Sequence, residues 1–169
     1  RGYQNKNFNR NHLMVNLQGR LNWIEEARSK ALEGLQKEGE FREALTVLSL
    51  VQESDFVFQR GPYSNLNEAK TFKRLLLEKV KQEGGKYFFP QKVKKNLFSK
   101  KISQIADFIH EFGFENKASL SKEQRVCFIE GFYFLLMLQL VATQNPSSFS
   151  FTCKDAVDHG MVRSFLFYL

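Results

Sequence analysis

Hydrophobic residues recur at intervals of three and four along most of this chain, and that spacing places them on one side of an α-helix. Helices are predicted over residues 22–37, 41–51, 65–82, 102–113 and 122–143, with a sixth from residue 161 onward. Asn65 and Glu68 have the spacing of a capping box and mark the start of the third. That helix is predicted to turn Ala69, Phe72, Leu76 and Val80 inward.

The first two predicted helices are close together in the sequence. Gly39 ends the helix over 22–37, and the helix over 41–51 follows at once, so we expect the two to pack antiparallel. One face of the first is predicted to hold Ile24, Arg28, Ala31, Leu32 and Leu35.

Alternating hydrophobic and polar residues predict short strands over 13–17, 55–59 and 148–152. In the last of these, Phe149 and Phe151 stand between small polar residues. The expected fold class is therefore α+β and predominantly helical, with about six helices and a few short strands. It includes a strand–loop–helix unit at 148–169.

The helix over 122–143 is the most apolar, and Ser121 with Gln124 forms a capping box at its start. Its uncharged stretch, 131–144, has 14 residues. Because a membrane span needs about 20 predominantly apolar residues, we expect a central buried helix, the most buried element of the domain, and no transmembrane span.

Composition limits the class of protein. With 169 residues, 43% of them hydrophobic, the chain is long enough for one domain with a real core, and intrinsic disorder is excluded. We expect a single domain over 1–169 that is a piece of a longer chain. The net charge of +7 favours an acidic partner: nucleic acid, anionic lipid headgroups or a phosphorylated ligand. Two cysteines are too few for a disulfide framework, so we expect reduced thiols and a reducing compartment.

Residues 86–101 form a basic stretch with interleaved aromatics, and no acidic residue occurs from 84 to 106. Its lysines suit an anionic ligand, for which we name Lys92, Lys94 and Lys95, and its aromatics suit stacking on bases or contact with lipid. The alternative is a solvated lysine face whose aromatic residues point inward.

A second candidate site is the loop that follows the strand over 148–152. A loop between a strand and a helix gathers backbone N–H groups around one point, and such a nest binds phosphate. Cys153 stands at the strand end, where the helix dipole and Lys154 lower the pKa of a thiol toward the nucleophilic thiolate.

Residues 153–159 read Cys-Lys-Asp-Ala-Val-Asp-His. They resemble the Cys-Lys-Ser-Gly-Lys-Asp-Arg loop of cysteine-dependent inositol-lipid phosphatases, including secreted bacterial effectors. Cys153, Lys154 and Asp158 match. The resemblance implies attack by Cys153 on phosphorus, a proton from Asp155 or Asp158, and phosphate held by the loop from Lys154 to Gly160. Arg163 lies one turn into the predicted helix and is a further candidate ligand.

Three positions depart from that loop: His159 replaces Arg, Ala156 replaces Gly and Val157 replaces Lys. The arginine fork grips two phosphate oxygens, and one imidazole makes no such fork. We therefore expect phosphate binding with weak or no catalysis. The predicted catalytic residues are Cys153, Asp155, Asp158 and His159, and the predicted ligand-binding residues are Lys154, Gly160, Arg163, Lys92, Lys94 and Lys95.

The leading hypothesis is thus a phosphate- or phosphoinositide-directed domain related to cysteine phosphatases. The alternatives are a non-catalytic helical interaction module of a bacterial, secreted-effector type of protein, and a basic nucleic-acid-binding domain. No cofactor is expected, and the three histidines are too scattered to indicate a metal site.

Overall fold

A computed structural model describes residues 11–19, 23–98 and 100–152. It is an α+β fold, mainly helical, as the sequence predicts. The strands are β1 (His12–Asn16), β2 (Leu45–Ser49) and β3 (Ser148–Thr152). The α-helices of the described ranges are α1 (Trp23–Leu35), α2 (Ala69–Lys81), α3 (Gln91–Leu97), α4 (Lys101–Phe108) and α5 (Lys122–Gln144). A short 3₁₀ turn (Gly61–Tyr63) precedes α2, and a π-helical turn (Ile109–Gly113) extends α4.

The three strands form one parallel sheet in the order β2-β1-β3. Parallel neighbours need a crossover connection, and α1 supplies it between β1 and β2. Asn16, the last residue of β1, is paired with Ser49 on one side and with Thr152 on the other. All three strands therefore end at the same edge.

One face of the sheet packs on the main apolar core. Leu13 and Val15 of β1 join Leu48 of β2 in a cluster with side chains from α2, α3, α4 and α5. The predicted inward stripe of α2 is confirmed, since Ala69, Phe72, Leu76 and Val80 are its buried residues.

The most apolar helix, α5, begins at the predicted capping box. Ser121 Oγ accepts from the Gln124 amide at 3.2 Å, and Gln124 Oε1 accepts from the Ser121 amide at 2.9 Å. By length and composition α5 could cross a membrane, but a core helix meets the same criterion, and Phe128 and Phe132 are fully buried in the core. Every residue of β2 is buried, so that strand, rather than α5, is the most completely buried element.

Two predicted elements are wrong. Residues 41–51 are not a helix: turns precede β2, which lies between α1 and the core and is buried on both faces. Periodicity does not separate such a strand from a buried helix. Residues 55–59 are a turn, closed by hydrogen bonds from Phe58 N to Ser54 O and from Arg60 N to Asp55 O.

The predicted helix α1 is confirmed, but the face on which its apolar residues stand is not its buried face. Its buried residues are Glu25, Ser29 and Glu33, whereas Ile24 and Leu35 are 44% and 37% exposed. The polar face is buried because it meets polar groups at the end of the sheet.

The start of α2 also differs from the prediction, and one helix was not predicted. Residue 65 is in a turn and residues 66–68 are not helical, since Asn67 O accepts from Leu120 N and Glu68 bridges to Ser119. The helix α2 therefore starts only at Ala69, without the predicted capping box. Residues 91–97, inside the basic stretch, form the helix α3.

Candidate functional site at the carboxyl edge of the sheet

The carboxyl ends of the three strands define the candidate site. The chain leaves β1 for β2 on one side, while β3 lies on the other side of β1. Such a change of direction opens a crevice beyond the strand ends, and open α/β sheets bind ligands there. By this rule the expected binding position is beyond the ends of β1 and β3.

The strand predicted over 148–152 is confirmed as β3, and Cys153 is the next residue of the sequence. The other residues predicted for this loop follow it. Cys153, Lys154, Asp155, Asp158, His159, Gly160 and Arg163 lie outside the described residues, and their roles stay predictions. The structure therefore establishes the strand that leads into the loop.

A buried polar cluster occupies the ends of β1 and β2. The Asn16 amide nitrogen donates to Ser29 Oγ at 3.2 Å and to Ser49 Oγ at 3.0 Å. Ser49 Oγ in turn donates to Glu33 Oε1 at 2.6 Å. All four side chains are buried. This cluster was not predicted, although a polar residue at the end of each apolar strand was a usable signal.

The cluster also fixes the chain just beyond β1. Asn16 Oδ1 accepts from the Gln18 amide at 3.1 Å, and the Leu17 amide donates to Thr152 O at 2.7 Å. Because Thr152 immediately precedes Cys153, these hydrogen bonds hold the sheet in register up to the point where the candidate loop begins.

The opposite end of the sheet has a smaller polar group that does not belong to this site. His12 contacts Ser148 Oγ and Ser150 Oγ through its two ring nitrogens, both at 2.9 Å. His12 is four residues before Asn16 along β1, about 13 Å at the usual rise of a strand.

A cavity of about 440 Å³ lies beside the end of β2. Val51 and Tyr87 line one part of it, and the last turns of α2 with the loop after it line another. Its lining includes Lys79, whose Nζ is 3.0 Å from Tyr63 Oη and 5.2 Å from the centroid of the Phe56 ring. This cavity could not be predicted, because its lining residues come from four separate segments of the chain.

Tyr87, on the lining of the cavity, is hydrogen-bonded to the buried Tyr133. Tyr133 Oη donates to Val51 O at 2.8 Å, so Tyr87 is the donor in its 2.6 Å contact with Tyr133. Burial raises the pKa of Tyr87 to about 12 and holds the pKa of Tyr133 well above its usual range. Both phenols are therefore neutral at physiological pH.

Arg125 of α5 fixes the segment that carries Tyr63. The guanidinium is completely buried and donates only to neutral oxygens within the described chain. Its acceptors are Gln59 Oε1 at 2.6 Å, Asn67 Oδ1 at 2.7 Å, Leu120 O at 2.7 Å, Ser64 O at 2.8 Å and Tyr63 O at 3.5 Å. Since these bonds hold the 59–67 segment to α5, they also place the Tyr63 ring beside Lys79.

The three lysines predicted to bind ligand are on α3. Lys92 and Lys95 are exposed, and Lys94 Nζ is 3.2 Å from a Glu83 carboxylate oxygen. Of the aromatic residues of the basic stretch, Tyr87 and Phe89 are buried and Phe88 and Phe98 are partly buried. These positions favour the lysine-face alternative, in which the aromatic residues point inward.

Metal-binding groups and comparisons with known proteins add no further assignment. Over 11–19, 23–98 and 100–152, no three His, Cys, Asp or Glu side chains come together to hold a metal ion.

The chain matches no family model, no curated protein and no solved structure. The function must therefore be argued from the site itself.

Proposed function

We propose that this chain is a phosphate-directed domain related to cysteine-dependent phosphatases, with its ligand at the carboxyl edge of the sheet. One observation supports the proposal above the others: Cys153 directly follows β3, which pairs in parallel with the central strand β1. A loop after such a strand is where parallel sheets bind phosphate.

The polar cluster gives the proposal further support. Asn16 and Thr152 end adjacent strands, and the bond from Leu17 N to Thr152 O continues their pairing by one residue. A nucleophile needs a fixed approach to phosphorus, since small displacements cost large factors in rate. A loop that leaves a rigid strand end starts from a fixed position.

The proposed chemistry has two steps. The Cys153 thiolate forms an S–P bond as the P–O bond to the leaving group breaks, and Asp155 or Asp158 protonates the leaving oxygen. Water then cleaves the S–P bond and releases phosphate. With His159 in the place of arginine, transition-state stabilisation is reduced, so binding is expected to exceed catalysis. In the more specific form of this proposal, the phosphorylated ligand is a phosphoinositide.

Alkylation of the two cysteines tests the proposal. Cys127 is an exposed free thiol on α5 and serves as a control within the same chain. At pH about 6, iodoacetamide should modify a low-pKa Cys153 about tenfold faster than Cys127, because only the thiolate reacts. Inorganic phosphate should protect Cys153 alone. Equal rates without protection, measured by peptide mass spectrometry, would contradict the proposal.

The His159→Arg variant tests the relationship to phosphatases. Restoring the fork should raise hydrolysis of an aryl phosphate about a hundredfold, the size of effect seen when one such donor is removed elsewhere. Activity should disappear when Cys153→Ser is added. Hydrolysis of a panel of phosphoinositides then tests whether these lipids are the substrates. If neither variant nor wild type hydrolyses or binds phosphate, the relationship is wrong.

A non-catalytic interaction module is the second candidate, and a surface between α4 and α5 favours it. Phe108 is 51% exposed, Phe112 is 68% exposed, and their ring centroids are 4.7 Å apart. Phe108 lines a groove between α4 and α5. Leu138 of α5, which is 41% exposed, lines the same groove. An exposed apolar surface of this kind is typical of protein contact sites.

A further inference from the structure

The cavity beside β2 is lined by no residue of β1 or β3, beyond whose ends phosphate is proposed to bind. Neighbouring strands lie about 4.8 Å apart, so the ends of β2 and β3, with β1 between them, are about 10 Å apart. A volume of about 440 Å³ is within the range of small-molecule sites. The cavity is large enough for a ligand of its own.

Lys79 presents a positive charge to this cavity. Its ammonium is 4.8 Å from the centroid of the Tyr63 ring and 5.2 Å from that of Phe56. Rings attract a cation through their quadrupoles without neutralising its charge. Among the described residues no carboxylate lies within ion-pair distance of Lys79. The charge therefore remains for an anionic group of a ligand.

Asp55 presents the opposite charge to the same cavity. Its side chain is exposed and, in the described part of the chain, makes no ion pair or hydrogen bond. Glu26 also lines the cavity but forms an ion pair with Lys30 at 2.7 Å. Lys79 and Asp55 thus face one space without contacting each other, and a purely anionic ligand would meet the Asp55 carboxylate.

We propose that this cavity binds a small zwitterion, with its oxyanion on Lys79 and its ammonium group on Asp55. Lys86 also lines the cavity, is exposed and adds a second positive charge to it. The Tyr87 phenol on the lining is uncharged, so the charged side chains are the groups that orient the ligand. This binding requires no thiol and is independent of Cys153.

Calorimetric titration with matched probes tests this inference. Phosphoethanolamine and β-alanine carry an ammonium group with a phosphate or a carboxylate, and so distinguish the two possible oxyanions. At least one should bind at least about tenfold more tightly than inorganic phosphate and ethanolamine, which each carry charge of only one sign. Failure of both zwitterions to bind, or affinity equal to that of phosphate alone, would overturn the proposal.

Variants locate the binding. Lys79→Met keeps the aliphatic stem against the rings and should weaken the zwitterion at least tenfold, and Asp55→Asn should do the same. Lys81→Met, on the exposed side of the same helix, is the matched control and should leave affinity unchanged. If Lys79→Met does not fold, Lys86→Met serves in its place. Equal effects of Lys79→Met and Lys81→Met would contradict the assignment.

Two variants distinguish zwitterion binding in this cavity from the proposed phosphate binding at the Cys153 loop. Cys153→Ser should leave zwitterion binding intact, whereas Lys79→Met should leave phosphate protection of Cys153 intact. Loss of zwitterion binding in Cys153→Ser would place the ligand at the other site and overturn the inference.

Discussion

The two faces of the parallel sheet differ in chemistry although they come from the same short strands. On one face, Leu13, Val15 and Leu48 pack into the apolar core. On the other, Asn16 and Ser49 bond to Ser29 and Glu33 beneath α1. The comparison separates the residues that stabilise the fold from those that position the strand ends. Apolar burial supplies the free energy of folding, and directional bonds set the positions of the strand ends.

The largest expected effect is on the apolar face. Leu48→Ala should reduce the free energy of unfolding by about 3 kcal/mol, because Leu48 is fully buried and its removal leaves a cavity. Leu138→Ala, on the exposed part of α5, is the control and should cost less than about 1 kcal/mol. Urea unfolding of both variants gives the comparison, and equal losses would contradict the assignment of the core.

The next largest effect concerns the hydrogen bond between Tyr87 and Tyr133, which lies within the apolar core. Because burial raises the pKa of Tyr87 to about 12 in the folded state, the protonated phenol stabilises the fold fully below pH 10, the ordinary value. That contribution is lost as the pH rises from about 10 toward 12, and its upper limit is about 3 kcal/mol.

The Tyr87→Phe variant isolates this effect, because lysine deprotonation is common to both proteins. The variant should lose less stability than wild type between pH about 9 and about 11.5, measured by denaturant unfolding. Parallel pH profiles would show that Tyr87 does not contribute to the alkaline loss.

A smaller loss is expected in the polar cluster at the carboxyl edge. Ser49→Ala removes the donor to Glu33 and the acceptor for Asn16, and should cost about 1–2 kcal/mol. It should also slow alkylation of Cys153 if the strand ends position that loop. A stability loss as large as that of Leu48→Ala would remove the distinction between the two faces.

The smallest effect is predicted at the amino end of the sheet. His12→Ala removes contacts to Ser148 and Ser150 on a partly exposed surface, so unfolding should change by less than about 1 kcal/mol. Alkylation of Cys153 should not change, since His12 is at the far end of β1. A change in alkylation as large as that of Ser49→Ala would contradict the separation of the two ends.

Elements determined by local pattern could be predicted from the sequence. The α2 stripe, the capping box of α5 and the strand β3 all appear as predicted. Each depends on neighbours within a few residues, where helix and strand periods are visible.

Elements determined by distant partners were missed. The 55–59 turn ends at Gln59, whose side chain accepts a bond from Arg125, 66 residues later in the chain. The burial of Glu33 rather than Leu35 on α1 depends on Ser49 of a neighbouring strand. For the candidate site, the sequence indicated the loop after β3, but not the polar cluster or the cavity.

The parallel pairing of the first and last described strands has a consequence for folding during synthesis. His12 and Ser148, which pair in the sheet, are 136 residues apart. Until β3 leaves the ribosome, one edge of β1 has no partner and offers its peptide groups to other chains. Contacts of such long sequence separation also form slowly. A nascent chain of this protein is therefore expected to be most prone to misassociation just before its third strand appears.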